Sequence, residues 1–230
     1  MIILACRVVY MLLGRLEDGS WAQFPAKKMV VSVRLLLLTI IAASLAAGCT
    51  AKVRLSPKAV APETVIGGSA TVVVAPAALG VPETIGHETI SLFAIPAIAV
   101  KLSNPEPGID LMNGVREALR QAGYVPVPLE QGQGKPVLEC RVHEVYFKNY
   151  TYFLPVVRTW GRVRLELSLV ENNGAVRWQR HYAEDFAETS VDVDDFQSAL
   201  NLTVGKILTR AAADFTQPDF KQACCGDGSN

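Results

Sequence analysis

Two long stretches of the sequence repeat apolar residues at helical spacing. Over residues 109–122, Leu111, Val115 and Leu119 recur on one side, and charged residues take the opposite side. Over residues 193–215 a second stripe contains Phe196, Leu200, Val204, Ile207, Leu208, Ala211 and Phe215. Each pattern predicts an amphipathic helix that packs one face against other elements.

Most of the remaining apolar sequence has the patterns of β-strands. The predicted strands cover residues 70–75, 89–100, 124–127, 136–147, 161–170 and 175–186. Asn173-Gly174 joins the last two as a hairpin, because both residues tolerate positive φ. With the two helices, this order predicts an α+β fold: an antiparallel or mixed sheet with two helices packed on one face.

A different pattern precedes these elements. Lys27, Lys28 and Arg34 come before a largely apolar run over 35–47, and small residues stand directly before Cys49. This arrangement is typical of a signal peptide. The alternative, a transmembrane anchor, needs roughly 20 apolar residues, and this run is shorter.

The residues up to Cys49 resemble the lipobox of bacterial lipoproteins, with Ala46 where the commonest lipobox has leucine. The resemblance implies thioether diacylation of Cys49, cleavage before it and acylation of the new amino terminus. Thr50 stands where an aspartate would retain such a protein in the inner membrane. The resemblance therefore implies attachment through Cys49 to the outer membrane, on its periplasmic face.

These patterns divide the chain into five parts. Residues 1–28 hold a second apolar run and are interpreted as an extension upstream of a true start at Met29; the alternative is a genuine long n-region. The other parts are a signal peptide over 29–48, a flexible tether over 49–68, an α+β periplasmic domain over 69–216 and a disordered tail over 217–230.

The charge of the sequence mainly excludes some classes of binding partner. Five of the 22 basic and two of the 22 acidic residues precede Cys49, so the remainder carries a net charge of about −3. Without a Lys/Arg cluster it has no electrostatic footprint for nucleic acid or an anionic membrane surface. Cys140, Cys224 and Cys225 follow Cys49, and since an odd number cannot all pair within one chain, one thiol is free or pairs outside it.

Candidate metal ligands are few. Cys140 and His143 have ligand spacing, but three residues apart on a strand they point to opposite faces, which predicts a core cysteine and a solvated histidine. His181 approaches His143 if their strands are neighbours, but two exposed histidines are a weak signal, so no metal site is predicted. Arg180 falls on the apolar side of its strand, where it must reach an edge or meet a carboxylate.

Residues 146–160 concentrate six aromatic side chains. One interpretation is a long, bent strand pair whose aromatic residues complete the core. The other is an exposed loop that contacts lipid, a hydrophobic ligand or a protein partner. In that case the candidate binding residues are Tyr150, Tyr152, Phe153, Leu154 and Trp160.

The element order, the phrase GVREALRQAGYVPV at 114–127 and the helix that follows the hairpin resemble small Gram-negative envelope lipoproteins. The similar groups are YajG-like lipoproteins, auxiliary lipoproteins of envelope lipid ABC transporters and LptE-like assembly lipoproteins. The resemblance covers residues 70–215 and implies a non-catalytic accessory or assembly module that binds an envelope protein or lipid. The alternative is a structural subunit of an oligomeric secretion or surface assembly.

An enzyme, such as a periplasmic hydrolase, is disfavoured by the motifs. The sequence after Cys49 has no G-x-S-x-G elbow, H-E-x-x-H pair or phosphate-binding loop. We therefore expect no catalytic residue and no cofactor.

Overall fold

The structure is a computed structural model that describes residues 49–65, 70–90, 95–132, 134–151, 157–190 and 195–226. All of them belong to the unit Gly48–Asn230. The predicted extension at 1–28 and signal peptide at 29–48 lie outside the described residues. No helix in the described ranges is both long and apolar enough to cross a membrane.

Nine strands form one mixed sheet in the described part of the chain. They are β1 (Cys49–Val53), β2 (Thr71–Val74), β3 (Ala78–Leu79), β4 (Thr84–Ile90), β5 (Ile95–Leu102), β6 (Val125–Pro128), β7 (Val137–Thr151), β8 (Val157–Val170) and β9 (Val176–Ser190). β7, β8 and β9 form an antiparallel meander. The other edge of β7 pairs in parallel with three strands in turn, β2, β3 and β4. β2 also pairs with β6. On the side of β4, β5 pairs with β4, and β1 pairs with β5.

In the described residues, three helices pack against this sheet: α1 (Pro107–Gln121), α2 (Asp195–Phe215) and α3 (Pro218–Cys225), with a short 3-10 turn at Leu129–Gln131. Their apolar residues share one buried core with alternate residues of the strands. On β8, for example, Val163 and Leu165 are buried, whereas Arg164 between them is exposed. The predicted α+β fold is confirmed.

One predicted strand is in fact two. Over residues 89–100, β4 ends at Ile90 and β5 begins at Ile95, and the two pair antiparallel. The intervening residues 91–94 lie outside the described ranges. A continuous apolar run has no periodicity that marks where one strand ends and the next begins.

The flexible tether predicted over 49–68 is wrong for residues 49–60. β1 pairs in parallel with β5, and Leu55 is buried. Three backbone N–H groups then donate to side chains of α2: Arg54 to Gln197 Oε1 (2.6 Å), Ser56 to Asn201 Oδ1 (2.7 Å) and Val60 to Thr209 Oγ1 (3.0 Å). The partners of this segment lie more than 40 residues away in sequence, so its local composition does not reveal them.

The disordered tail predicted over 217–230 is wrong for its described residues. α3 occupies most of them, and Phe220 is fully buried. Its ring centroid lies 4.8 Å from that of Trp178 and 4.7 Å from that of Phe215. A helix of two turns presents too few apolar positions for its periodicity to be recognised in sequence.

α3 also supplies a partner for Arg180. The Arg180 guanidinium donates to Asp219 Oδ2 at 2.5 Å and lies 5.8 Å from the ring centroid of Trp178. A carboxylate therefore meets this arginine, which is one of the two alternatives predicted for it.

Candidate functional site

The pairing of the strands places Cys49 at the same end of the sheet as the aromatic segment. One row of paired residues crosses six strands: Cys49, Ile98, Glu88, Asn149, Thr159 and Glu188. At about 4.8 Å per strand spacing, β1 lies roughly 14 Å from β7 and 19 Å from β8 along this row. We call the strand ends next to this row, together with the row and the residues directly on its other side, the anchor end.

Three aromatic side chains lie on β7 and β8 near the anchor end. Tyr150 follows Asn149 of the row, and Trp160 follows Thr159. Trp160 is 37% exposed, and its ring centroid lies 5.5 Å from that of Tyr146. Because Tyr146, Tyr150 and Trp160 alternate with buried residues along their strands, they share the sheet face opposite the helices.

Two cations stand among these rings. Lys148 lies between the two tyrosines on its strand, with Nζ 4.4 Å from the Tyr150 ring centroid, and its hydrogen bond with Tyr150 raises the Lys148 pKa. Arg158 is exposed and pairs in register with Tyr150. No carboxylate of the described residues forms an ion pair with either cation.

Further from the anchor end, a cation on the same face is neutralised. Arg162 on β8 donates to Asp185 on β9 at 2.5 Å, and this contact lowers the Asp185 pKa. Arg162 is therefore neutralised, whereas Lys148 and Arg158, beside the tyrosines and Trp160, have no ion-pair partner among the described residues.

The opposite face of the same strands is closely packed. Phe147 is 1% exposed, and its ring lies against Gly161, where a Cβ atom would approach Phe147 Cδ1 to 2.1 Å. Asn149 and Thr159 are fully buried, and the Thr159 hydroxyl lies 3.4 Å from Asn149 Oδ1. The exposed aromatic residues therefore stand on strands that are fixed from behind.

The structure combines the two interpretations of the aromatic segment. Phe147 completes the core, whereas Tyr150 and Trp160 lie on the outer face with unequal exposure. Tyr152, Phe153 and Leu154 lie outside the described residues. Sequence reasoning missed Lys148 and Arg158, although both have the same alternation as the aromatic residues.

A second polar cluster lies on the outer face, away from the anchor end. Cys140 is buried and His143 exposed, which confirms the predicted opposite faces. Burial, and secondarily the charge of Glu166, raises the pKa of Cys140 to about 12. The two predicted histidines do approach each other, because His143 and His181 both contact Glu166 of β8, the strand between them.

No family model and no curated protein matches the chain. Among solved structures, the chain is similar to a DUF330 family protein from Xanthomonas campestris, with 12% identity over 72% of this chain and 91% of that one and a TM-score of 0.45. It is also similar to the PelC dodecamer from Paraburkholderia phytofirmans (17% identity, 64% and 91% covered, TM-score 0.33). A candidate lipoprotein from Caulobacter crescentus matches with 18% identity over 50% and 80% of the two chains and a TM-score of 0.30. Because these TM-scores lie below 0.5, we derive function from the chain's own residues.

Proposed function

We propose that this chain is a non-catalytic envelope lipoprotein, attached through Cys49 to the periplasmic face of the outer membrane, where it serves as an accessory or assembly module. The observation that carries the proposal is the common position of Cys49 and the aromatic and cationic residues of the outer face at the anchor end. In this arrangement the membrane lipid that holds Cys49 is also the surface that Tyr150 and Trp160 contact.

The chemistry of the anchor end suits a lipid–water interface. Tyrosine and tryptophan place an apolar ring and a polar tip at the level of the headgroups. Strand pairing brings Lys148 and Arg158, which have no described ion-pair partner, close together, although the sequence has no Lys/Arg cluster that indicates a membrane surface. The two cations attract phosphate groups of lipids. Glu188, the residue of the row that pairs with Thr159, is exposed and lies on the edge strand β9.

The interior favours contact at the surface over extraction of a lipid into the fold. The void between the helices and the sheet, lined by residues such as Leu55, Leu111 and Leu165, has a volume of about 20 Å³. A void of this size holds about one water molecule, so an acyl chain does not fit without separating the helices from the sheet. The accessory role therefore rests on the outer surface of the domain.

Tryptophan fluorescence tests this placement. After Cys49 the sequence contains two tryptophans, the exposed Trp160 and the buried Trp178. The lipidated protein is reconstituted into phospholipid vesicles in which part of the lipid is brominated near the headgroup. We expect partial quenching in the wild type, and no quenching in Trp160→Phe, whose remaining emission comes from Trp178.

The matched control is the same pair of proteins in vesicles without bromine, with circular dichroism to verify the fold of both. If Trp160→Phe is quenched as strongly as the wild type, or if neither is quenched, the anchor end does not rest on lipid. The lipid contact would then be abandoned in favour of a protein partner.

One observation favours the second candidate, a structural subunit of an oligomeric assembly. Among the described strands, β9 pairs with β8 alone, so its outer edge offers a long row of backbone groups for pairing with another chain. The charged residues along β9, such as Arg177 and Asp185, oppose uncontrolled pairing. Light scattering of the detergent-extracted protein separates the two candidates, since a discrete large ring would favour the assembly subunit.

A further inference from the structure

We propose that His143, Glu166 and His181 form a binding site for a divalent transition-metal ion of the zinc class. The three residues come from the adjacent strands β7, β8 and β9, and one ligand atom of each lies within 4.8 Å of the others. The site lies on the outer face of the sheet and does not depend on the membrane contact proposed above.

The backbone assembles this cluster through two features of the meander. Glu166 and His181 are directly paired residues of β8 and β9. On β7 the register shifts between Val142 and Glu144, so His143 is the extra residue of a β-bulge. His143 keeps the outward direction that alternation from Cys140 predicts, and at the bulge its side chain reaches the glutamate of the next strand.

The distances suit a zinc-class ion. His143 Nε2 lies 3.5 Å and His181 Nδ1 lies 3.3 Å from Glu166 Oε2. With metal–ligand bonds of about 2.0–2.2 Å, tetrahedral ligand atoms are separated by roughly 3.3–3.6 Å. Each imidazole nitrogen therefore already has the separation from Glu166 Oε2 that tetrahedral coordination requires, and the two nitrogens lie within 4.8 Å of each other.

The donor set also suits this class of ion. Two imidazoles and one carboxylate are ligands that Zn²⁺ shares with Cu²⁺ and other borderline ions, whereas Mg²⁺ and Ca²⁺ require oxygen ligands. The Glu166 side chain is only 13% exposed, while the histidines are 44% and 68% exposed. A shielded carboxylate beneath two accessible imidazoles leaves the remaining coordination position open to water or to a donor from another molecule.

Arginine side chains near Glu166 limit the affinity of this site for a metal cation. Arg141, exposed on β7, is the residue paired with Glu166, and it competes with a cation for that carboxylate. Arg164, further along β8, is engaged by Glu144 at 3.3 Å. The net local charge therefore favours a site of moderate affinity that exchanges its ion with solution.

The test is a Zn²⁺ titration of the detergent-extracted, lipidated protein in competition with a chromophoric chelator. The accessible thiols are first alkylated, because the vicinal Cys224 and Cys225 are an alternative zinc site. We expect one Zn²⁺ per chain, with affinity lowered at least about tenfold in each of His143→Ala, His181→Ala and Glu166→Gln.

The third histidine of the chain, His87, supplies the matched control, and His87→Ala should bind as the wild type does. Substituting Co²⁺ gives a second readout: a visible d–d spectrum without a thiolate charge-transfer band is expected of these ligands. Absence of binding with Zn²⁺ in tenfold excess, or full binding by the double variant His143→Ala/His181→Ala, would overturn the proposal.

Discussion

The burial of Phe220 makes a quantitative prediction about the end of the chain. Phe220 is fully buried and contacts the rings of Tyr124, Trp178 and Phe215, at centroid distances of 5.4, 4.8 and 4.7 Å. Replacing a buried phenylalanine by alanine costs about 3–5 kcal/mol of unfolding free energy, since apolar burial is lost and a cavity remains. Domains have about 5–15 kcal/mol in total, so Phe220→Ala removes a large fraction of the stability.

Urea unfolding of a soluble form that starts at Thr50 measures this effect. With a slope of about 2 kcal/mol per molar urea, the expected loss lowers the midpoint by roughly 1.5–2.5 M. Lys221→Ala, at an exposed position of the same helix, is the control and should change the midpoint little. Deleting residues 218–230 should destabilise the domain at least as much as Phe220→Ala.

An unchanged midpoint together with an unchanged slope in Phe220→Ala would refute the reasoning. It would mean that α3 does not pack in solution and that the residues after Gln217 form the tail that their composition suggests. A changed slope with a similar midpoint would instead indicate that the variant alters the unfolded or intermediate states.

Three further predictions concern the anchor and the core. Cys49→Ser should release the protein from membranes or leave it unprocessed; a normally processed mutant that survives a carbonate wash would exclude the lipid anchor. Gly161→Val should lower the free energy of unfolding by about 1–3 kcal/mol, because its Cβ would collide with the Phe147 ring, and an unchanged urea midpoint would contradict this packing. Cys140 should resist alkylation at pH 8 in the native protein and react in urea, since burial raises its pKa to about 12. Mass spectrometry of the peptide that contains Cys140 measures the alkylation, with the Cys224 peptide as the reference.

The sequence was most informative where pairing is local. The β8–β9 hairpin follows from alternation and from Asn173-Gly174, and the structure gives Gly174 a φ of +85° with the Asn173 side chain accepting from the Ala175 N–H. The apolar stripes of α1 and α2 likewise correspond to buried faces. In these elements each residue's partners lie within a few positions, so one segment contains the evidence for its own structure.

Non-local pairing accounts for the error over residues 49–60 and for most of the site. β1 pairs with β5, and the row from Cys49 to Asn149 passes through two intervening strands, so no local pattern connects those residues. The three-residue cluster at Glu166 depends on the register of three strands and on a bulge at His143. The sequence alone placed Tyr150 and Trp160 in one segment, but it did not reveal their orientation relative to Cys49.

The early start of β1 has a mechanical consequence for a protein held at Cys49. A flexible segment of 20 residues would let the domain range about 25 Å from its attachment point and face any direction. If Cys49 is the attachment residue, as proposed, a strand that begins there removes the freedom of such a segment and keeps the domain close to the bilayer. A binding partner in the same bilayer would then meet it by diffusion in two dimensions.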